Sequence, residues 1–197
     1  MLKALFGSYA AKPPRPQPNW RVLDVGCGSG NNLLPFADLG CECHGVEISD
    51  DITERISRVI ADRGIEASLA TGSNRSLPYP DGHFDLLLSV NAIHYEGSAE
   101  NIRAALAEFR RVLKPTGHLY ISTVGPEHAI QQRAEALGHH RYRIQDYDFR
   151  NGETFFFFET ESYLSQYCSE FFDHVETGRV TEKLMEVKID FLVALCG

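Results

Sequence analysis

The stretch Asp24-Val25-Gly26-Cys27-Gly28-Ser29-Gly30 sets three glycines at alternate positions directly behind a short apolar run and an acidic residue. Such spacing lets the backbone turn sharply and lets a ligand press against main chain where a Cβ would clash. Nineteen residues beyond Gly28 stands Glu47, a carboxylate able to accept hydrogen bonds from both vicinal hydroxyls of a ribose. Together these features indicate an adenosine-containing ligand. A dinucleotide fits less well, because its fingerprint wants glycine at the sixth position and, counted from Gly26, that position is Asn31. A carboxylate at Asp24 would also lie close to a pyrophosphate, whereas it matches a cationic ligand. S-adenosylmethionine carries both an ammonium and a sulfonium. Further along, Ser89-Val90-Asn91-Ala92-Ile93-His94-Tyr95 brings a histidine past another apolar run; imidazole titrates near working pH and suits a general base. His94 is a candidate base, with wall of the site or plain packing as the alternatives.

The elements that must hold these residues alternate along the chain. Arg21 to Val25 is a strand, Asn31 to Leu39 a helix closed by Gly40, with Pro35 forcing a late start. Glu42 to Ile48 is a second strand, and Ser49 or Asp50 caps a helix with Ile52, Ile56, Val59 and Ile60 on its apolar face. Glu66 to Ala70 is a short strand, and Phe84 to Val90 has the continuous apolar pattern of a strand buried on both faces. A helix over Glu100 to Leu113 and a strand over Gly117 to Val124 complete the series. Strand and helix in alternation predict an α/β fold with a right-handed parallel sheet, whose ligands sit at the carboxyl ends of the strands.

Length and charge bound the rest. A chain of 197 residues suits one domain. Residues 1–19 are expected as an N-terminal arm, extended through its proline-rich part, and residues 20–197 as a single domain. The net charge of −8 argues against a nucleic-acid partner. No apolar run reaches the length of a membrane helix, and Met1 to Ala11 is too short in apolar residues for a secretory signal, so no membrane partner and a cytoplasmic location are expected. The five cysteines show neither paired zinc spacing nor an even count, and no metal site is expected.

Four stretches carry a family resemblance: Val22 to Gly30, Gly45 to Ser49, Leu77 to Asp85 and Arg111 to Gly117. In this order they resemble the successive motifs of class I S-adenosylmethionine-dependent methyltransferases, in particular the quinone-biosynthesis and small-molecule group. The resemblance implies a Rossmann-like three-layer sandwich with a seven-stranded, mostly parallel sheet whose last strand is antiparallel. It places a final helix at Glu161 to Ser169 and the closing strands at Phe171 to Val180 and Glu186 to Leu195.

It also implies S-adenosylmethionine as cofactor. The loop from Gly26 through Cys27 and Gly28 to Gly30 would pass under its methionine part and Asp24 would reach the amino group; Glu47 would hold the ribose and Ile48 pack on the adenine. Ser73 stands where the family often has an acid binding the adenine amino group, with Asn74 as a substitute, and Ser89 lies at the end of the strand beside the methyl group. The implied activity is methyl transfer to a small molecule by direct displacement, in which alignment is worth roughly 7–11 kcal/mol. The alternatives are a cofactor-binding relative without turnover and a nucleotide-dependent oxidoreductase. Ala92 and Ile93 stand where methyltransferases of amino-nucleobases carry two prolines, which argues against that substrate.

Substrate choice is expected from residues 125–153, a substrate-side insertion in which residues 125–152 carry four basic and four acidic residues. His139-His140-Arg141-Tyr142-Arg143 could hold an anionic acceptor, or belong to a solvated loop whose acids cancel its charge. The run Phe155 to Phe158 is expected to be half core and half pocket wall.

Overall fold

The computed structural model describes all residues except 147–149; the side chain of Leu184 is also outside the description. Tyr147 and Phe149, two of the aromatics of the insertion, therefore lie outside the described residues.

The chain begins with helix α1 (Leu2–Phe6), followed by β1 (Arg21–Val25), α2 (Leu34–Leu39), β2 (Glu42–Glu47), α3 (Asp50–Asp62), β3 (Ala67–Thr71) and β4 (Phe84–Val90). A 3-10 turn (Ile93–Glu96) leads to α4 (Ala99–Val112) and the long β5 (Leu113–Val124). Then come α5 (Ala129–Arg133), β6 (Glu135–Gly138), β7 (Arg141–Arg143), β8 (Thr154–Phe156), α6 (Glu161–Cys168), β9 (Val175–Leu184) and β10 (Val187–Cys196).

Seven strands form one sheet in the order β3-β2-β1-β4-β5-β10-β9, with β10 antiparallel to both neighbours. The expected α/β sandwich is therefore present, and the strand order reverses between β1 and β4, where ligands of such sheets bind. The apolar run of β4 is buried as its pattern requires: Phe84, Leu86, Leu87 and Leu88 are all at 0% exposure. Ser49 caps α3, its Oγ accepting from Ile52 N–H at 3.4 Å.

The late start of α2 is as expected, whereas β5, β9 and the arm differ from expectation. Pro35 occupies the first turn of α2, so the helix starts at Leu34 and residues 31–33 form a turn. β5 begins at Leu113 because Leu113 pairs with Phe84 ahead of a register shift. β9 starts at Val175, later than Phe171, because Phe171 and Phe172 donate their N–H groups to Cys168 O and extend the end of α6. The arm contains a docked helix: Leu5 of α1 is fully buried in a cluster with Val22, Leu33 and Phe36.

The insertion holds a second sheet, β6-β7-β8, all antiparallel, whose last strand carries the insertion past its expected end at residue 153 to Phe156. Strand alternation sorts the phenylalanine run. Phe155 and Phe157 enter a small core with Val124, Ile130 and Ile144, while Phe156 and Phe158 enter the main core. All four are buried and none lines the cleft described below, which corrects the half-pocket-wall expectation.

Candidate active-site cleft

The glycine loop owes its shape to close contacts on its outer side. A Cβ on Gly30, at φ +76°, would stand 2.9 Å from Ile60 Cγ1 of α3, and one on Gly45 would stand 2.6 Å from Cys27 Sγ. Helix α3 and strand β2 thus press on the loop from outside and leave Gly26 and Gly28, both at positive φ, on the inner wall. Gly28 N–H donates to Glu47 Oε1 at 2.7 Å, fixing the carboxylate at the end of β2.

A cleft of about 390 Å3 opens at this carboxyl edge. Its wall includes Gly26, Gly28, Glu47, Ile48, Ser73 and Asn74 from the expected set. Ile48 is 65% exposed, an apolar side chain held out at the rim. Asp24, at the end of β1, is wholly buried. Asn32 Nδ2, freed by the turn ahead of α2, donates to Asp24 Oδ2 at 3.2 Å, while Oδ1 has no partner. Burial pushes the Asp24 carboxyl up to about 7, Asn32 opposes the shift, and the Glu47 charge adds to it. An unpaired buried carboxylate oxygen of this kind is a site for a cation or a strong donor.

Other expected residues lie elsewhere. Cys27 is 4% exposed and packs in the core with Val22 and Cys43; burial and the charges of Asp24 and Glu47 raise its thiol to about 12. Gly30 acts from outside the wall, against α3. Ser89 is wholly buried on β4, its Oγ unpartnered. His94 is 3% exposed and not part of the cleft wall; Nδ1 lies 3.3 Å from Thr123 Oγ1, and its ring packs against Tyr95 and, edge-on, Phe155. Burial, with Arg150 and His128, depresses its pKa to about 3.

Residues beyond the expected set complete the wall: Asn91, Ala92, Tyr95 and Glu96 after β4, and Arg150 and Glu153 from the insertion. Asn91 takes a left-handed φ of +55°, and its Oδ1 accepts from Ser122 Oγ at 3.0 Å. The Arg150 guanidinium lies 4.0 Å over the Tyr95 ring and bonds Glu153 at 2.8 Å. The segment after β4 was marked as site-facing in the sequence, but nothing local to residues 150–153 announced contact with it.

Of the two readings of the His139 to Arg143 cluster, the one in which acids cancel its charge fits the ion pairs present: Arg143 to Glu135 at 3.1 Å and His140 to Glu159 at 3.2 Å. Among the described residues no group of three or more His, Cys, Asp or Glu could hold a metal ion, and all five cysteines are free thiols. No helix of the described residues is long and apolar enough to cross a membrane.

Residues 22–117 match the model of a methyltransferase domain. Over these residues, just under half of its length, the chain is similar to methyltransferases. An uncharacterized methyltransferase, YcgJ, of Bacillus subtilis is 32% identical over 128 residues, 64% of this chain and 48% of that protein. The ubiquinone/menaquinone biosynthesis C-methyltransferase UbiE of Paraburkholderia phymatum is 34% identical over 109 residues, 53% of this chain and 43% of that one. The chain spans about half or less of the length of these methyltransferases. In fold it is similar to a SAM-dependent methyltransferase from Methanosarcina mazei, with a TM-score of 0.74 at 20% identity over 91% of this chain and 92% of the other.

Proposed function

We propose that this protein is a methyltransferase that binds S-adenosylmethionine in the cleft between β1, β2 and β4 and transfers its methyl group to a small-molecule acceptor. The observation that carries the reading is the buried, unpartnered Oδ1 of Asp24, two residues ahead of Gly26 in the wall of a cleft that also includes Gly28 and Glu47. The donor set fits the cofactor. Asp24 receives the ammonium, Gly26 and Gly28 give the methionine part room against main chain, Glu47 accepts from the ribose, and Ile48 covers the adenine. When bound, the sulfonium supplies a methyl carbon already activated for direct displacement.

The chain's own contribution is alignment. Asn91, held by Ser122, shapes the wall after β4, and Tyr95 with Arg150 narrows the side from which an acceptor enters. Arg150 is the cation of the described cleft wall and is where an anionic group of an acceptor would be received. His94 supports the Ile93–Glu96 turn from below; it faces Thr123 in the interior, so a general base from this residue is not part of the reading. A cytoplasmic location accords with five free thiols. The methyltransferase match favours this function over the oxidoreductase alternative.

Titration calorimetry with S-adenosylmethionine and S-adenosylhomocysteine tests the proposal. Binding of both at micromolar concentration is expected. Absence of heat with either at high micromolar concentration would overturn it, and binding without turnover on a broad acceptor panel would favour the non-catalytic relative.

A further inference from the structure

Glu96 closes the turn after β4, yet its side chain reaches the loop after β3. Oε1 accepts from Asn74 Nδ2 at 2.9 Å and Oε2 from Arg75 Nε at 2.6 Å. Its backbone oxygen accepts from Asn101 Nδ2 at 3.0 Å, which ties the turn to α4. The Glu96 side chain is 11% exposed, so water competes little for these bonds.

A carboxylate only accepts hydrogen bonds, whereas an amide has one donating and one accepting end. The Asn74 nitrogen must therefore face Glu96, because a flipped amide would set oxygen against oxygen. Asn74 Oδ1 is turned to the other side, where it is buried without a partner in a residue of the cleft wall. Neighbouring Ser73 lacks this constraint. Its backbone is fixed by paired bonds to Ser76, but its hydroxyl can turn to donate or to accept. Ser73 alone would receive a purine with or without an amino group.

We infer that Glu96 is a positioning residue that locks the Asn74 amide as an acceptor, so that the cleft selects a purine bearing an exocyclic amino group over one that lacks it. The inference rests on the proposed function, since it assigns this end of the cleft to the adenine. A buried acceptor left unpaired by the wrong ring supplies the discrimination.

The test measures two ligands by calorimetry on the full chain: S-adenosylhomocysteine and its 6-desamino counterpart, with hydrogen in place of the purine amino group. The wild-type protein is expected to prefer the amino compound by about tenfold or more. In Glu96→Gln either end of the new amide can meet Asn74, and the preference should fall to within about threefold. Glu96→Asp, which keeps an acceptor-only head, should retain more of it than Glu96→Gln, and Asn74→Ala should abolish it with Glu96 intact. A purely structural role for Glu96 would weaken both ligands alike and leave their ratio unchanged. A wild-type ratio near one, or a ratio equal to wild type in Glu96→Gln, overturns the inference. Failure of the wild-type protein to bind either compound overturns the proposed function instead. If Glu96→Gln does not fold, the wild-type ratio and the Glu96→Asp and Asn74→Ala ratios decide.

Discussion

Replacing Asp24 by asparagine separates what the buried carboxyl costs the fold from what it gives the ligand. Its pKa lies at about 7 in the folded protein against 3.8 for the free group, raised chiefly by burial. The folded state therefore binds the proton more tightly, and stability falls as pH rises from 3.8 to about 7. At about 1.4 kcal/mol per unit, the full cost above that window is on the order of 4 kcal/mol. Asp24→Asn keeps the shape without the charge, so its advantage over wild type should grow with pH through this window and level off near pH 8. His94 works in the opposite sense, because its depressed pKa of about 3 makes stability rise between about 3 and 6.5. That contribution is common to both proteins and cancels in their difference.

Urea denaturation of the ligand-free proteins at pH 5, 6, 7 and 8 measures the difference directly. S-adenosylhomocysteine should show the reverse pattern: an ammonium opposite Asp24 favours its ionised form, so wild-type affinity should climb by up to about tenfold per unit from pH 5 towards 7 with release of a proton. In Asp24→Asn that slope should vanish and affinity at pH 8 should be lower. A stability difference that stays flat from pH 5 to 8 would refute the account of the buried carboxyl. A pH slope of affinity shared by both proteins would remove Asp24 from the ammonium role.

Two further substitutions probe the cleft. Glu47→Ala removes both the acceptor for Gly28 N–H and the proposed ribose ligand; calorimetry should show S-adenosylhomocysteine binding weakened severalfold or more, and an unchanged affinity would exclude Glu47 from that contact. Arg150→Gln leaves the glycine wall intact, so cofactor affinity should stay within about twofold while KM for an anionic acceptor rises about tenfold, as for loss of one charge-assisted hydrogen bond. Equal KM values in the two proteins would show that Arg150 does not receive the acceptor.

The five parallel strands β1 to β5 were legible because they carry their own signals, whereas the closing pair β9 and β10 was expected only from the family resemblance. β4 is apolar throughout, and the strand-loop-helix around Gly26 to Gly30 is punctuated by residues with backbone requirements. The small sheet was hidden because its strands run three or four residues, and β6 and β7 are mostly exposed. They lack the alternation that marks a strand bound to a large core. On the site side, Gly26, Gly28 and Glu47 could be placed in the cleft wall because local spacing determines where they stand. Arg150, Glu153 and the bond from Glu96 to Asn74 depend on segments far apart in sequence, and no periodicity encodes such meetings. His94 shows the converse limit. Its position after β4 was read correctly, but whether its ring turns to the cleft or to Thr123 is decided by packing against Phe155, a residue of the insertion.

The same turn joins the two halves of the molecule. Tyr95 lines the cleft and also packs on the small core formed by Ile130, Ile144, Phe155 and Phe157. Directly after it, a Cβ on Gly97 would stand 3.2 Å from Thr154 O of β8, so the insertion seats closely on this turn. Glu96, between these two residues, reaches the other wall of the cleft through Asn74 and Arg75. A packed contact of this kind transmits displacement, because interiors have little free volume to absorb it. The insertion thus acts on the cleft in two ways: it contributes Arg150 directly, and it sets the position of the turn on which both the Tyr95 ring and the Glu96 carboxylate depend.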